Sequence, residues 1–226
     1  MNEASMSIIA CAFDLDGTLV DSIHDLARAA NLARADAGLS PLESDRVASF
    51  VGDGAASLVA RVLADSHDAE YTGSDIQREG MLSFNAHYLA GLHIATRFYP
   101  KVLATLHLLR ERQVPLALVT NKPERFTLPL LRELGIDTHF DVVVAGDTVS
   151  NKKPSADPLL YAASRLNVPT SQLLMVGDSI NDVLSARAAG CPVLAVSYGY
   201  GSDVESLNAD AVIHSFADLC EFLDLA

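Results

Sequence analysis

The sequence predicts an α/β fold: a Rossmann-like parallel sheet core with an all-helical cap inserted after the first strand. Three observations predict it. From Pro100 onward, short apolar runs alternate with helical patterns, which is how βαβ units with a parallel sheet read in sequence. Between about Val20 and Ala95 the periodicity is helical only. The opening apolar run, Ile8 to Phe13, reads as a strand with no partner nearby, and a lone strand is not stable. It must therefore join the later sheet, and the helical stretch becomes an insertion. The expected division is a core of residues 1–19 and 96–226 and a helical cap of residues 20–95 standing over the carboxyl end of the first strand.

Taken in order, the first strand stops at Phe13, and Asp14-Leu15-Asp16-Gly17-Thr18 follows in a turn. Ser22-Ile23-His24-Asp25 has the form of a capping box and opens a helix that stops near Gly38. Ser40-Pro41-Leu42-Glu43 repeats that signal with proline at the first helical position. Leu58, Val59, Val62 and Leu63 stand at helical spacing between Gly54 and Ser66, and a less regular helix is expected from Ser74 to about Leu89. Beyond Pro100, strands are expected at Leu116 to Val119, Asp141 to Ala145, Leu173 to Val176 and Val193 to Val196. Helices between them end at Gly135, near Leu166 and at Gly190, and Asp210 to Ile213 and Phe216 to Leu223 finish the chain.

The composition narrows the function. With 226 residues, 50% of them hydrophobic, the chain can bury a sizeable core and is not disordered. A formal net charge of -13 without clustered Lys and Arg argues against nucleic acid as a partner. It also repels anions at long range, so a phosphate ligand needs a bound cation and local positive groups. Cys11, Cys191 and Cys220 lack metal-ligand spacing and read as free thiols in a reducing compartment. No stretch approaches the apolar length of a membrane helix, and Met1 to Ser7 lacks a leader pattern, so a cytoplasmic location is expected, with monomer and homodimer both left open by the sequence.

The chemistry-bearing residues fall at successive strand ends: Asp14 after the first strand, Thr120-Asn121 after the second, and Asp178 after Val176-Gly177. Lys153 lies in the loop beyond the third. Ligand crevices form outside the carboxyl ends of parallel strands. Each residue alone also reads as a helix cap or a solvated lysine, but together they make a phosphate and divalent-metal site. Asp14 and Asp16, beside Gly17, can bind a metal or divide the roles of nucleophile and acid/base. Gly52-Asp53-Gly54 precedes a helix beginning near Ala55, so the backbone N–H groups around Gly52 and Gly54 are candidates to read an anionic carboxylate, with Asp53 pointing away. The seven histidines show no metal spacing, and Arg61, Tyr198 and Tyr200 read as structural.

Phe13 to Ser22, Val119-Thr120-Asn121-Lys122, Asn151-Lys152-Lys153-Pro154 and Val176 to Asp182 together resemble the four ordered motifs of the haloacid dehalogenase-like phosphatases. Within that superfamily the chain most resembles the phosphoglycolate phosphatase family, through Val51 to Ala55, Lys152-Lys153-Pro154 with Asp157-Pro158-Leu159-Leu160, and Ser197-Tyr198-Gly199-Tyr200. It departs from the family pattern at Asp53, Lys101 and Ala156. The resemblance implies hydrolysis of a small phosphorylated metabolite, 2-phosphoglycolate. Asp14 is then the nucleophile, and Asp16 the acid and then the base. Mg²⁺ is held by Asp14, the backbone carbonyl of Asp16 and Asp178, with Asp182 a supporting or alternative ligand. Thr120 and the Asn121 backbone hold phosphoryl oxygens, and Lys153 offsets charge. A sugar-phosphate or nucleotide phosphatase, a phosphoglucomutase and a silent phosphometabolite-binding protein are the alternatives.

Overall fold

The computed structural model describes residues 8–201 and 203–223. Residues 1–7, on which the expectation of no leader rests, lie outside the described residues. In chain order the strands are β1 (Ala10–Phe13), β2 (Val20–Asp21), β3 (Arg97–Phe98), β4 (Leu116–Val119), β5 (Val142–Val144), β6 (Leu173–Gly177), β7 (Val193–Val196) and β8 (Ala211–Ile213). Helices α1 (Ile23–Asp36), α2 (Ser44–Ala48), α3 (Gly54–Ala64) and α4 (Asp75–Leu89) lie between β2 and β3. They are followed by α5 (Val102–Glu111), α6 (Glu124–Glu133), α7 (Asp157–Leu166), α8 (Ile180–Ala189) and α9 (Asp218–Phe222).

Six strands form one parallel sheet in the order β5-β4-β1-β6-β7-β8. Strands β1, β4, β6 and β7 are buried along their whole length. That is why they read as continuous apolar runs and not as alternations. From β1 the chain builds outward on one side, through β4 and β5, then returns to build β6, β7 and β8 on the other. The crevice created by such a reversal lies at the carboxyl end of β1. Phe13 pairs in register with Leu118 and Val176, so Asp14, the residues after Val119 and those after Gly177 emerge along one edge.

One buried cluster runs from Phe13 and Leu118 in the sheet to Phe50, Val59 and Phe84 in the inserted helices. Tyr88 of α4 carries it across: its ring stacks on Phe84 at 5.5 Å and meets Phe126 of α6 edge-on at 5.1 Å. On the opposite face of the sheet, Ala12, Val119 and Met175 pack beneath α7 and α8 with Leu159 and Ala163. Cys11 and Cys191 are buried free thiols, and burial pushes both above the usual thiol range.

Three local expectations change. The segments flanking the helical insertion pair as a ribbon, Val20 with Phe98 and Asp21 with Arg97, too short to register as strands in sequence. Ser22 and Asp25 make no capping box. The Ser22 hydroxyl donates to Asp16 at 2.5 Å, while Asp25 Oδ2 accepts from Ala95 N, Thr96 N and Thr96 Oγ1 at 2.9, 2.8 and 2.7 Å. A better tertiary partner wins each group, and Asp25 clamps the outgoing chain to the returning one. The helix expected at Pro41 instead starts at Ser44, because the Asn31 side chain brackets Leu42, accepting from its N–H and donating to its C=O at 2.8 Å each.

Candidate active site

Asp14 continues β1, its N–H donating to Val176 O at 3.0 Å. Asp14, Asp178 and Asp182, all buried, each offer an oxygen within 4.8 Å of the others. The sequence brings them this close by withholding side chains. Gly17, at φ +88°, lies directly against the Asp178 carboxylate, and Gly177 lies against that of Asp182, so a Cβ at either would collide with it. Asp178 is oriented by Thr18 Oγ1 at 3.2 Å and Tyr200 N at 2.9 Å.

Lys153 lies beneath Asp14, 2% exposed. Its Nζ donates to Val119 O at 2.7 Å and Asp182 Oδ1 at 2.6 Å, and stands 2.9 Å from Asp14 Oδ1. Asp182 is thus committed to this lysine with one oxygen. With the other it accepts from Ser179 N and Oγ at 3.0 and 2.7 Å, at the start of α8. Burial raises the Asp14 carboxyl to about 6, with Lys153 working against the rise and Asp182 adding to it. Burial, and then the neighbouring Asp14 and Asp182, push Asp178 to about 8. Crowded hard oxygens with one ammonium among them are a donor set suited to a divalent cation such as Mg²⁺.

Asp16 stands apart from this cluster. Its Oδ1 accepts from Ser22 Oγ at 2.5 Å and Lys122 Nζ at 3.0 Å, and its Oδ2 accepts from the same Nζ at 2.9 Å. Lys122 Nζ also donates to the Tyr88 hydroxyl at 2.6 Å, and Tyr200 OH supports Ser22 through its N–H at 2.7 Å. Sequence reasoning missed Lys122, Tyr88 and Ser22 and read Tyr200 as packing. The available signal was that Lys122 ends the Val119-Thr120-Asn121-Lys122 motif; nothing local marks its partners.

Thr120 and Asn121 line the same cleft. The Asn121 amide donates to Gly52 O and Lys153 O, at 2.9 Å each, tying the loop ahead of α3 to the loop that carries Lys153. Gly52 and Gly54 line the cleft from the helical side. Asp53 turns away: it pairs with Arg61 at 2.6 Å and accepts from Asn181 at 2.8 Å. Burial acts to raise the Asp53 carboxyl, but the hydrogen bonds of Asn181 and Arg61 and the charges of Arg61 and Lys152 hold it below the usual range. Arg61 also donates to His67 O and Phe50 O, at 3.2 and 3.3 Å. His24 is exposed. The cleft encloses about 50 Å³, with Leu26, Val51, Leu58 and Phe84 forming its apolar wall.

A site of strand-end carboxylates, a buried lysine and a helical roof defines a class. The model of the haloacid dehalogenase-like hydrolases matches residues 8–190, and the chain belongs to that family. A phosphoglycolate phosphatase of Chromobacterium violaceum is 50% identical over 216 residues, covering 96% of each chain. One from Neisseria meningitidis is 41% identical over 228 residues, covering 99% of this chain and 97% of its own. The crystal structure of a predicted phosphoglycolate phosphatase from Haemophilus somnus superposes with a TM-score of 0.89 at 32% identity, covering 97% of this chain and 99% of its own. Among the described residues, no helix is long and apolar enough to cross a membrane.

Proposed function

We propose that the protein hydrolyses 2-phosphoglycolate to glycolate and phosphate by way of a phosphoryl group carried on Asp14. The observation that carries this reading is the separation of two carboxylates: Asp14 beside Lys153, and Asp16 held elsewhere by Lys122 and Ser22. An Asp14 oxygen attacks phosphorus as the bond to the alkoxide breaks, and Asp16 gives the alkoxide its proton. Asp16 then takes a proton from the water that attacks the phosphorylated Asp14, releasing phosphate and restoring the carboxylate. Thr120 Oγ1 and the Asn121 N–H receive phosphoryl oxygens, and Lys153 offsets the charge of nucleophile and phosphate together. Asp14, Asp178 and the Asp16 carbonyl would hold Mg²⁺, which supplies further charge neutralisation and polarises the phosphoryl group. Asp182 serves the lysine, and through it the nucleophile.

In this reading residues 1–19 and 96–226 form the catalytic core, and residues 20–95 cap it, with Gly52 and Gly54 facing the substrate. The names of the relatives support 2-phosphoglycolate over a sugar phosphate or a nucleotide. The protein would act in the cytoplasm as a monomer or homodimer. Turnover of 2-phosphoglycolate, a hexose phosphate, a nucleotide and an aryl phosphate, with Mg²⁺ and with EDTA, tests the proposal. All activity should require Mg²⁺, and 2-phosphoglycolate should show the highest kcat/KM. Equal rates in EDTA would remove the metal from the scheme, and a better hexose phosphate or nucleotide would replace the substrate.

A further inference from the structure

We propose that Lys122 is the specificity-determining cation for the carboxylate of the substrate, and that pairing with this carboxylate frees Asp16 to serve the leaving group. The inference rests on the phosphatase reading above. Asp14 and Asp16 line the cleft, and Asp178 and Asp182 cluster with Asp14, so a substrate that carries a carboxylate besides its phosphate needs a local positive charge. Lys122 is the one basic side chain among the described residues lining the cleft. Lys153 is not available to the substrate carboxylate, being spent beneath the nucleophile on Val119 O, Asp182 and Asp14.

The contacts of Lys122 are those of a group poised between two partners. It is 6% exposed, and its ammonium has three protons to give. They meet Asp16 Oδ1 at 3.0 Å, Asp16 Oδ2 at 2.9 Å and the Tyr88 hydroxyl at 2.6 Å. The ammonium also lies 4.7 Å from the centroid of the Tyr88 ring, which keeps it in place from the helical side. Asp16 is therefore gripped on both oxygens, with Ser22 as a further donor to Oδ1. In that state Oδ1 is filled by Lys122 and Ser22, and only Oδ2, itself paired with the ammonium, retains a lone pair to turn toward a leaving oxygen.

In 2-phosphoglycolate the carboxylate carbon is two bonds from the bridging oxygen that Asp16 protonates. A substrate placed for that proton transfer brings its carboxylate beside the ammonium that neighbours Asp16. Moving Lys122 from the aspartate to the substrate exchanges one carboxylate partner for another, with Tyr88 holding the ammonium throughout. A phosphomonoester without the carboxylate offers no such exchange and leaves Asp16 held. Selectivity then falls on the chemical step as well as on binding.

The test compares 2-phosphoglycolate with ethyl phosphate, in which a methyl group replaces the carboxylate, in wild type, Lys122→Met and Lys122→Arg. Wild type should prefer 2-phosphoglycolate. Lys122→Met should lower kcat/KM for 2-phosphoglycolate by about 30-fold or more, the scale of breaking a buried charge pair, and for ethyl phosphate much less, collapsing the preference. Lys122→Arg should retain most of it. Lys122→Gln, which keeps length and hydrogen bonding without charge, is read in the same way should the methionine variant not fold. Equal losses on both substrates would overturn the inference and make Lys122 a positioning residue for Asp16 alone. Absence of turnover of either substrate by wild type would instead overturn the phosphatase reading.

Discussion

The two walls of the cleft are assembled in different ways. On the phosphoryl side, Asp14, Thr120 and Asp178 each stand at the end of a sheet strand, and Lys153 reaches them from the loop ahead of α7. Their spacing follows from strand register, with Phe13 opposite Leu118 and Val176. On the leaving-group side, Asp16, Ser22, Tyr88, Lys122 and Tyr200 come from a turn, a helix start, the end of the last inserted helix, a loop and a late loop, and every contact among them uses at least one side chain. The first wall needs only that the sheet form. The second needs the inserted helices seated on the core, because Tyr88 belongs to α4. In the proposed reaction, charge handling at phosphorus is therefore built into the scaffold, whereas treatment of the leaving group depends on how the inserted helices seat on it.

Substitutions on each wall can break that distinction. Asp14→Asn, on the first wall, should have the largest effect: a loss of at least about 10⁴-fold in kcat for every phosphomonoester, with the melting temperature near that of wild type. Retained activity above a trace would remove Asp14 as nucleophile. Asp16→Ala, on the second wall, should cost about 10²- to 10³-fold with 2-phosphoglycolate, the range of general acid-base catalysis, and much less in single-turnover phosphorylation by an aryl phosphate. An equal loss with both leaving groups would show that Asp16 does not protonate the leaving group.

The smallest effect belongs to the loop that joins the walls. Asp53 is half-buried and paired with Arg61 and Asn181, turned from the cleft. Asp53→Asn should therefore change kcat/KM for 2-phosphoglycolate by no more than about a few-fold, a modest electrostatic effect. A loss as large as that of Asp16→Ala would place the Asp53 carboxylate in the chemistry.

The same contrast explains what was legible in the sequence. Apolar runs such as Leu116 to Val119 announce buried parallel strands, and the residues following them inherit a shared edge, so Asp14, Thr120 and Asp178 were readable as a group. The Ser22 and Asp25 pattern was legible but misleading: local spacing matches a capping box, yet Asp16 and the Ala95-Thr96 backbone compete for those groups across the fold. The Lys122 and Asp16 pair, 106 residues apart, and the Lys122 and Tyr88 pair, 34 apart, leave no periodicity. The ribbon of β2 and β3 is two residues deep on each side, below the length at which alternation can be recognised.

In the proposed reaction the phosphoryl group passes onto Asp14, the residue the sheet itself positions. The Asp16→Ala variant, which lacks the base that hydrolyses the intermediate, can be mixed with an aryl phosphate and Mg²⁺, quenched in acid during turnover, digested and examined by mass spectrometry. One phosphoryl group should be found on the peptide that contains Asp14, localised to that residue, and it should be absent from Asp14→Asn. A phosphoryl group on any other residue, or none in a sample that is releasing the aryl alcohol, would contradict the account.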